Sequence, residues 1–157
     1  MNTVPVLSLE EIQEDRPMPS RNQSRAAQNL AVALAPYRDR FEAFHQLSLN
    51  LDGWESIPDL CLYPAGILPR DWADDEDVVT RPPALVIEIL SPKQNLQPLL
   101  DKVRTYHSHG AKSCWVVVPG TETVSVFPAN GGSRSFSEGD VVDAVLDLRV
   151  PFAAVFA

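Results

Sequence analysis

Two segments of the chain carry apolar residues at the spacing of an amphipathic helix. The first follows Ser20, which offers an N-cap, and predicts a helix from about 21 to 37. The second predicts a helix from about 95 to 109, with Pro98 in its first turn and Gly110 as its stop. The apolar positions are Ala26, Ala27, Leu30, Ala33, Leu34 and Tyr37 in the first segment, and Leu96, Leu99, Leu100, Val103 and Tyr106 in the second.

Other segments have the patterns of strands. FEAFHQLSLNL (41–51) alternates apolar and polar residues, which predicts one strand with a wet face. The turn signal Asp52-Gly53 then predicts an antiparallel return by SIPDLCLYP. ALVIEIL (84–90) is apolar on both faces and so suits a central strand. Further strands are predicted in SCWVVVP and TVSVFPA, with one or two edge strands in VVDAVLDLRV and a helical turn in PFAAVF.

The order of these elements predicts the fold class. ALVIEIL, the second helix and SCWVVVP form a strand–helix–strand unit, which should cross over between parallel strands. Together with the antiparallel pair this gives an α/β (α+β) mixed sheet with a helix on each face. We expect one domain over residues 1–157, with 1–19 as an N-terminal arm and 65–83, which holds the acidic run DDED, as a solvated surface loop.

Composition narrows the functional classes. The net charge is −8 and the pI is about 4.7, which disfavours nucleic-acid binding because such proteins neutralise phosphates with Lys and Arg. No apolar run approaches the ~20 residues of a membrane helix. The acidic N-terminus does not resemble a signal peptide, so a cytoplasmic location is expected. The two cysteines and three histidines lack zinc-site spacing, and the thiols should be buried and reduced.

A carboxylate interrupts the most apolar strand. Glu88 shares a strand face with Val86 and Leu90, and an ionised carboxylate is costly in apolar surroundings unless it is paired or coordinated. Asp59, at the start of the neighbouring strand, and Lys102, on the following helix, are candidate partners. Two adjacent carboxylates repel each other unless a cation joins them, and carboxylate oxygens suit Mg2+ or Mn2+.

Each of these residues also has an ordinary structural interpretation. Asp59 alone could be a turn or capping residue, and Lys102 alone could be a solvated helix residue. Glu88 could face solvent on an edge strand, or it could pair with Arg104 or Lys102 for structural reasons.

The combined motif resembles the Uma-two family of restriction-endonuclease-like proteins, within the PD-(D/E)XK superfamily. The resemblance covers roughly residues 17–130. It implies a restriction-endonuclease-like core, a metal site at Asp59 and Glu88 helped by the Ile89 carbonyl, and a homodimer. The matching positions are Pro58-Asp59, Ile87-Glu88-Ile89-Leu90-Ser91-Pro92, Lys102, Tyr106, Gly110, Trp115 and Pro119.

Three positions depart from that pattern. The superfamily lysine stands two residues after the glutamate, where this chain has Leu90, so the resemblance assigns that role to Lys102 on the helix. Gln23 stands where many relatives carry a histidine, and Pro98 where many carry an aspartate. An acidic ligand from the N-terminal segment is also common in the superfamily, and Glu10, Glu11 and Glu14 are candidates for it.

The leading hypothesis is a Mg2+- or Mn2+-dependent endonuclease that hydrolyses DNA, with Asp59, Glu88 and Lys102 as catalytic residues. One alternative is a catalytically degenerate member that binds a protein or nucleic acid, favoured by the acidic charge, Gln23 and Pro98. Another is a hydrolase of small phosphate esters, which would need a closed pocket. Basic residues around the cleft would favour the nuclease, and a ring of acidic residues would favour the degenerate member.

Overall fold

The computed structural model describes residues 19–157, which are built around a mixed β-sheet. The helices are α1 (Arg21–Leu34), α2 (Leu96–Ser108) and α3 (Phe152–Val155). Short 3-10 helices follow at Ala35–Tyr37 and Pro119–Thr121. The strands are β1 (Phe41–His45), β2 (Leu49–Leu51), β3 (Trp54–Ser56), β4 (Leu60–Pro64), β5 (Leu85–Ile89), β6 (Ser113–Val118), β7 (Thr123–Pro128), β8 (Arg134–Phe136), β9 (Asp140–Asp143) and β10 (Leu148–Pro151).

The main sheet has six strands in the order β1-β4-β5-β6-β7-β8. Strands β5 and β6 are parallel and are joined by α2, whereas the other neighbouring strands are antiparallel. The predicted α+β fold with a mixed sheet is therefore confirmed. Helices α1 and α2 cover opposite faces: Leu30 of α1 packs in one core with Ile87 and Trp115, and Val103 of α2 packs in the other with Val86.

Both predicted helices are confirmed, and their ends follow local chemistry. Helix α1 starts with a capping box in which the Ser20 hydroxyl accepts the Gln23 amide hydrogen and the Gln23 side chain accepts that of Ser20. Pro36 lies in the 3-10 helix that extends the end of α1. After α2 the chain reverses at Gly110, whose φ of 106° is unfavourable for residues that carry a Cβ.

The prediction of one strand over 41–51 is wrong. The chain leaves the extended conformation at Gln46, which has a φ of 48°, and the two halves enter different sheets. Strand β1 pairs with β4 in the main sheet, whereas β2 forms a hairpin with β3 through the predicted Asp52-Gly53 turn. That turn therefore does not join the two strands of the main sheet, although these are antiparallel as expected.

The C-terminal third also differs from prediction. Strand β8 was not predicted, and β9 and β10 form a hairpin of their own, not the edge of the main sheet. This hairpin packs Val141 and Val150 into the core on the α1 face. Trp115 packs in the core and also donates its indole N–H to Asp143 of β9 over 2.9 Å.

The remaining expectations concern loops and the chain's ends. Residues 65–83 form the predicted surface loop, and its acidic run is exposed. Cys61 and Cys114 are buried free thiols, as predicted. The predicted arm lies outside the described residues except for Pro19. None of the helices within residues 19–157 has the length and apolar character needed to cross a membrane.

We predict that Gly110→Ala lowers the free energy of unfolding by about 1–2 kcal/mol, because a side chain disfavours the left-handed conformation. The added Cβ would also lie 3.3 Å from Cγ of Pro82. Urea denaturation measures the effect. Gly120→Ala is the control, since its Cβ would meet no atom within 4 Å and its φ is not positive. Equal stability of the two variants would contradict the prediction.

Candidate active site

The pairing of β4 with β5 brings Asp59 to the end of β5. Leu60 faces Ile87 in the antiparallel register, so continuing the register by one residue sets Asp59 beside Glu88. The Asp59 Oδ2 atom accepts the backbone N–H of Ile89 over 2.7 Å. Asp59 is 6% exposed and Glu88 is 5% exposed. The two residues that the sequence singled out are thus both buried and lie at neighbouring positions of adjacent segments.

Gln23 connects helix α1 to this point. Its Nε2 atom donates to Oδ1 of Asp59 over 3.3 Å and to the carbonyl oxygen of Ile89 over 3.0 Å. Its Oε1 atom accepts the Ser20 N–H over 3.3 Å, which fixes the orientation of the amide. Two oxygens predicted as metal ligands therefore converge on one nitrogen atom. The position where the sequence departs from the family's histidine lies inside the site.

Glu88 is held from the other face of the sheet. Its Oε1 atom accepts a hydrogen bond from the Tyr106 hydroxyl of α2 over 3.2 Å, and Ser56 of β3 makes a short hydrogen bond to the same hydroxyl. The alternative of Glu88 facing solvent on an edge strand is wrong, because β5 is an inner strand and the side chain is buried. Sequence reasoning assigned no partner role to Tyr106 or Ser56.

Lys102 lies on α2, four residues before Tyr106, and is half-buried. Residues four apart share a helix face, so Lys102 lies one turn closer to the start of α2. Helix α2 begins after the end of β5 and runs back toward the start of the parallel strand β6. The first turns of α2, which carry Lys102, are therefore closer than Tyr106 to the end of β5, where Ile89 lies. Pro98, the other departure from the family pattern, is exposed in the first turn of α2.

A small cavity opens beside Asp59. Its volume is about 250 Å3. His45 and Gln46, at the end of β1, belong to its wall, and sequence reasoning did not include them in the site. The pairing of His45 with Leu60 brings them to the level of Asp59, and this register was hidden by the predicted continuous strand. The described lining residues are Pro19, Gln23, Ser24, Ala27, Gln28, His45, Gln46 and Asp59.

The chain is similar to a known protein family and to a solved structure. Residues 7–153 match the model of a family called Uma2 and described as "Putative restriction endonuclease". The chain belongs to the Uma2 family. It is also similar in fold to a solved structure from Anabaena variabilis ATCC 29413, named a putative nuclease belonging to DUF820. The TM-score is 0.74 and the identity 23%, over 89% of this chain and 83% of that one. No curated protein matches the sequence significantly.

Basic residues lie close along the chain to the residues of this site, despite the acidic total charge. Arg21 opens α1 two residues before Gln23, and Lys93 follows β5 in the turn that leads to α2. The acidic run instead belongs to the loop that lines a separate cavity with Glu42 and Phe44 of β1. Within residues 19–157, no group of three or more His, Cys, Asp or Glu side chains is arranged to hold a metal. Glu10, Glu11 and Glu14 lie outside the described residues.

Other residues singled out from the sequence have structural contacts. His107 and His109 lie at the end of α2. Nδ1 of His107 contacts the Ala111 carbonyl oxygen over 3.1 Å, and the His109 ring stacks on Trp54. The Ser91 Oγ atom is buried and has no hydrogen-bond partner among the described residues.

Burial and the nearby Glu88 carboxylate raise the pKa values of the two cysteine thiols. Burial, and secondly the nearby Glu88 carboxylate, raise the pKa of the Cys61 thiol to about 12. The same two causes raise the pKa of the Cys114 thiol, with a smaller contribution from Asp143. They also raise the pKa of the Tyr106 hydroxyl, which therefore remains a hydrogen-bond donor to Glu88 at neutral pH.

We predict that stability falls as the pH rises above about 9. The unfolded thiols ionise near their ordinary pKa of 9.0, whereas the folded thiols keep their protons, so their contribution is complete below pH 9 and is lost above it. Each thiol should cost up to about 1.4 kcal/mol per pH unit. Urea unfolding between pH 7.5 and 10 measures the slope. Cys61→Ala and Cys114→Ala should each reduce it, and an unchanged slope in the double variant would refute this cause.

Proposed function

We propose that this Uma2 chain is a Mg2+- or Mn2+-dependent endonuclease that hydrolyses phosphodiester bonds in DNA. The observation that carries the proposal is the convergence of Asp59 Oδ1 and the Ile89 carbonyl oxygen on one atom, Gln23 Nε2. The buried Glu88 directly precedes Ile89 in the chain. Two protein oxygens that converge on one point would suit a hard divalent cation, with Glu88 as a further carboxylate ligand.

The residues present fit such a cation. Asp59, Glu88 and the Ile89 carbonyl would supply oxygen ligands, and the Gln23 amide would turn aside to admit the ion. When bound, the cation would polarise a phosphoryl oxygen and lower the pKa of a coordinated water. The Ile89 N–H holds Asp59 at Oδ2, so that Oδ1 is the oxygen that faces the ligand position.

The protein's own side chains would have distinct roles. Tyr106 orients Glu88 through its hydrogen bond and is itself positioned by Ser56. Lys102, one turn closer to the end of β5, would bind a phosphate oxygen and stabilise the charge that develops on it during cleavage. Arg21 and Lys93 would contact the DNA backbone on either side, which reconciles a DNA substrate with the net charge of −8.

The degenerate alternative is favoured by a specific observation. The Gln23 amide already satisfies Asp59 and the Ile89 carbonyl by hydrogen bonds, so the site has a stable arrangement without a cation. A hydrolase of small phosphate esters is less well supported, because none of the described residues around the cavity is Lys or Arg. The homodimer and the cytoplasmic location stay predictions, and light scattering would test the first.

We predict that Mn2+ binds the wild type and that Asp59→Asn with Glu88→Gln abolishes binding, because two anionic ligands are lost. Calorimetry measures this without a substrate. Glu138→Gln, which removes an exposed carboxylate, should bind as the wild type does. Thermal melting of each variant separates lost binding from lost folding.

The calorimetry also decides between the two functions. The absence of binding to wild type at millimolar Mn2+, both alone and with a short DNA duplex present, would overturn the metal-dependent nuclease and favour the degenerate member. Binding that persists in the double variant would move the metal site away from Asp59 and Glu88.

We predict that Lys102→Met lowers the rate of DNA cleavage by about 100-fold or more, since removing one preorganised group that stabilises transition-state charge typically costs this much. Mn2+ affinity should change little, because Lys102 is not a proposed ligand. Lys112→Met is the matched control, because Lys112 is exposed and lies at the opposite end of β5 from Ile89. Its backbone N–H bonds to the carbonyl oxygen of Ala84, the residue that precedes β5. Equal rates for the two variants would remove Lys102 from the mechanism.

A further inference from the structure

We infer that the cavity beside Asp59 is a subsite for a single unpaired nucleobase. This inference rests on the proposed function, because a DNA strand held at Asp59 would present the base. It goes further by naming the part of the substrate that the protein recognises. The cavity adjoins Asp59, so a base within it would belong to a nucleotide close to the scissile bond.

The chemistry of the wall suits a neutral heterocycle. Gln28 and Gln46 contribute primary amides, each with two N–H donors and one carbonyl acceptor, and Ser24 adds a hydroxyl. The edges of nucleobases carry donors and acceptors in the same way, and glutamine forms a paired hydrogen bond with adenine. Both glutamines are exposed, whereas the amide of Gln23 is already engaged by Asp59 and Ile89.

The charge of the wall disfavours a phosphate. None of the described residues that line the cavity is Lys or Arg, and Asp59 contributes a carboxylate that would repel an anion. The basic residues Arg21, Lys93 and Lys102 belong to the surrounding segments and are not part of the wall. The described wall is therefore polar and carries no basic side chain, whereas the proposed phosphate contacts come from neighbouring segments.

Size and ring surfaces fit one base. A volume of about 250 Å3 is below the roughly 300 Å3 at which pockets for drug-sized ligands begin. The His45 imidazole and the Pro19 ring both belong to the wall, and histidine is among the side chains on which unstacked bases lie.

The backbone beside His45 supports a functional role. Gln46 has a φ of 48°, a conformation that a residue with a side chain adopts at a cost, and such residues cluster at ligand-binding sites. This strained turn ends β1 and presents two lining residues at the level of Asp59. The alternation of apolar and polar residues over 41–51 is equally compatible with a continuous strand. The local sequence alone therefore does not account for the turn at Gln46.

The test is an NMR titration of the metal-free full chain with each of the four 2′-deoxynucleosides, which carry no phosphate. The side-chain amide signals of Gln28 and Gln46 and the ring signals of His45 are the readout. At least one deoxynucleoside should shift these signals to saturation. Gln28→Ala and His45→Ala should each weaken that binding at least fivefold. Gln97→Ala, on the exposed face of α2, is the matched control and should leave binding unchanged.

Three results would overturn the inference: no saturable shift with any deoxynucleoside, equal binding by the variants and the wild type, or saturation of the same signals by inorganic phosphate alone. The measurement uses neither a metal nor cleavage, so the two proposals fail separately. Nucleoside binding in a protein that neither binds Mn2+ nor cuts DNA would refute only the nuclease. Cleavage by a protein that does not bind nucleosides would refute only the base subsite.

Discussion

The hydrogen bond from the Ile89 amide to Asp59 joins the start of β4 to the end of β5, and the rest of the site depends on it. It turns one oxygen of the carboxylate toward the sheet and leaves the other toward α1, where Gln23 lies. Because both carboxylate-bearing segments are buried and inner to the sheet, their relative positions are set by the ladder hydrogen bonds and not by flexible loops. A catalytic or binding site gains precision when rigid elements carry it in this way.

The sequence predicts those features of the site that follow from neighbouring residues in the chain, and it does not predict contacts between distant residues. The faces of β5 follow from alternation within one strand, so Glu88 was correctly assigned to the side that also carries Val86. The bond from Gln23 to Ile89 spans 66 positions, and no local pattern encodes it; only the resemblance to a family drew attention to that residue. The break at Gln46 was missed because a glutamine gives no signal of a positive φ, whereas Asp52-Gly53 gives a strong one.

The net charge does not show how the charged residues of this chain are distributed. The acidic run occupies a loop at the β1 side of the sheet, while three basic residues come from the segments that meet at the end of β5. The net charge, summed over all 157 residues, does not distinguish these two regions. Electrostatic interactions between exposed groups fall off over about 10 Å at ordinary ionic strength, so the net charge does not by itself set the field at one site.

The Gln23 amide and the proposed cation would occupy the same position between Asp59 and the Ile89 carbonyl. In the structure, one nitrogen donates to both oxygens that a cation would need, and the capping box of α1 holds that amide in place through Ser20. The proposed metal would have to replace these hydrogen bonds, so its affinity would be the difference between coordination and the network that it displaces. Release of the amide would also free the Ser20 N–H, and with it one of the bonds that begin α1. If the proposed cation binds, its binding and the order of the α1 N-terminus would therefore be linked.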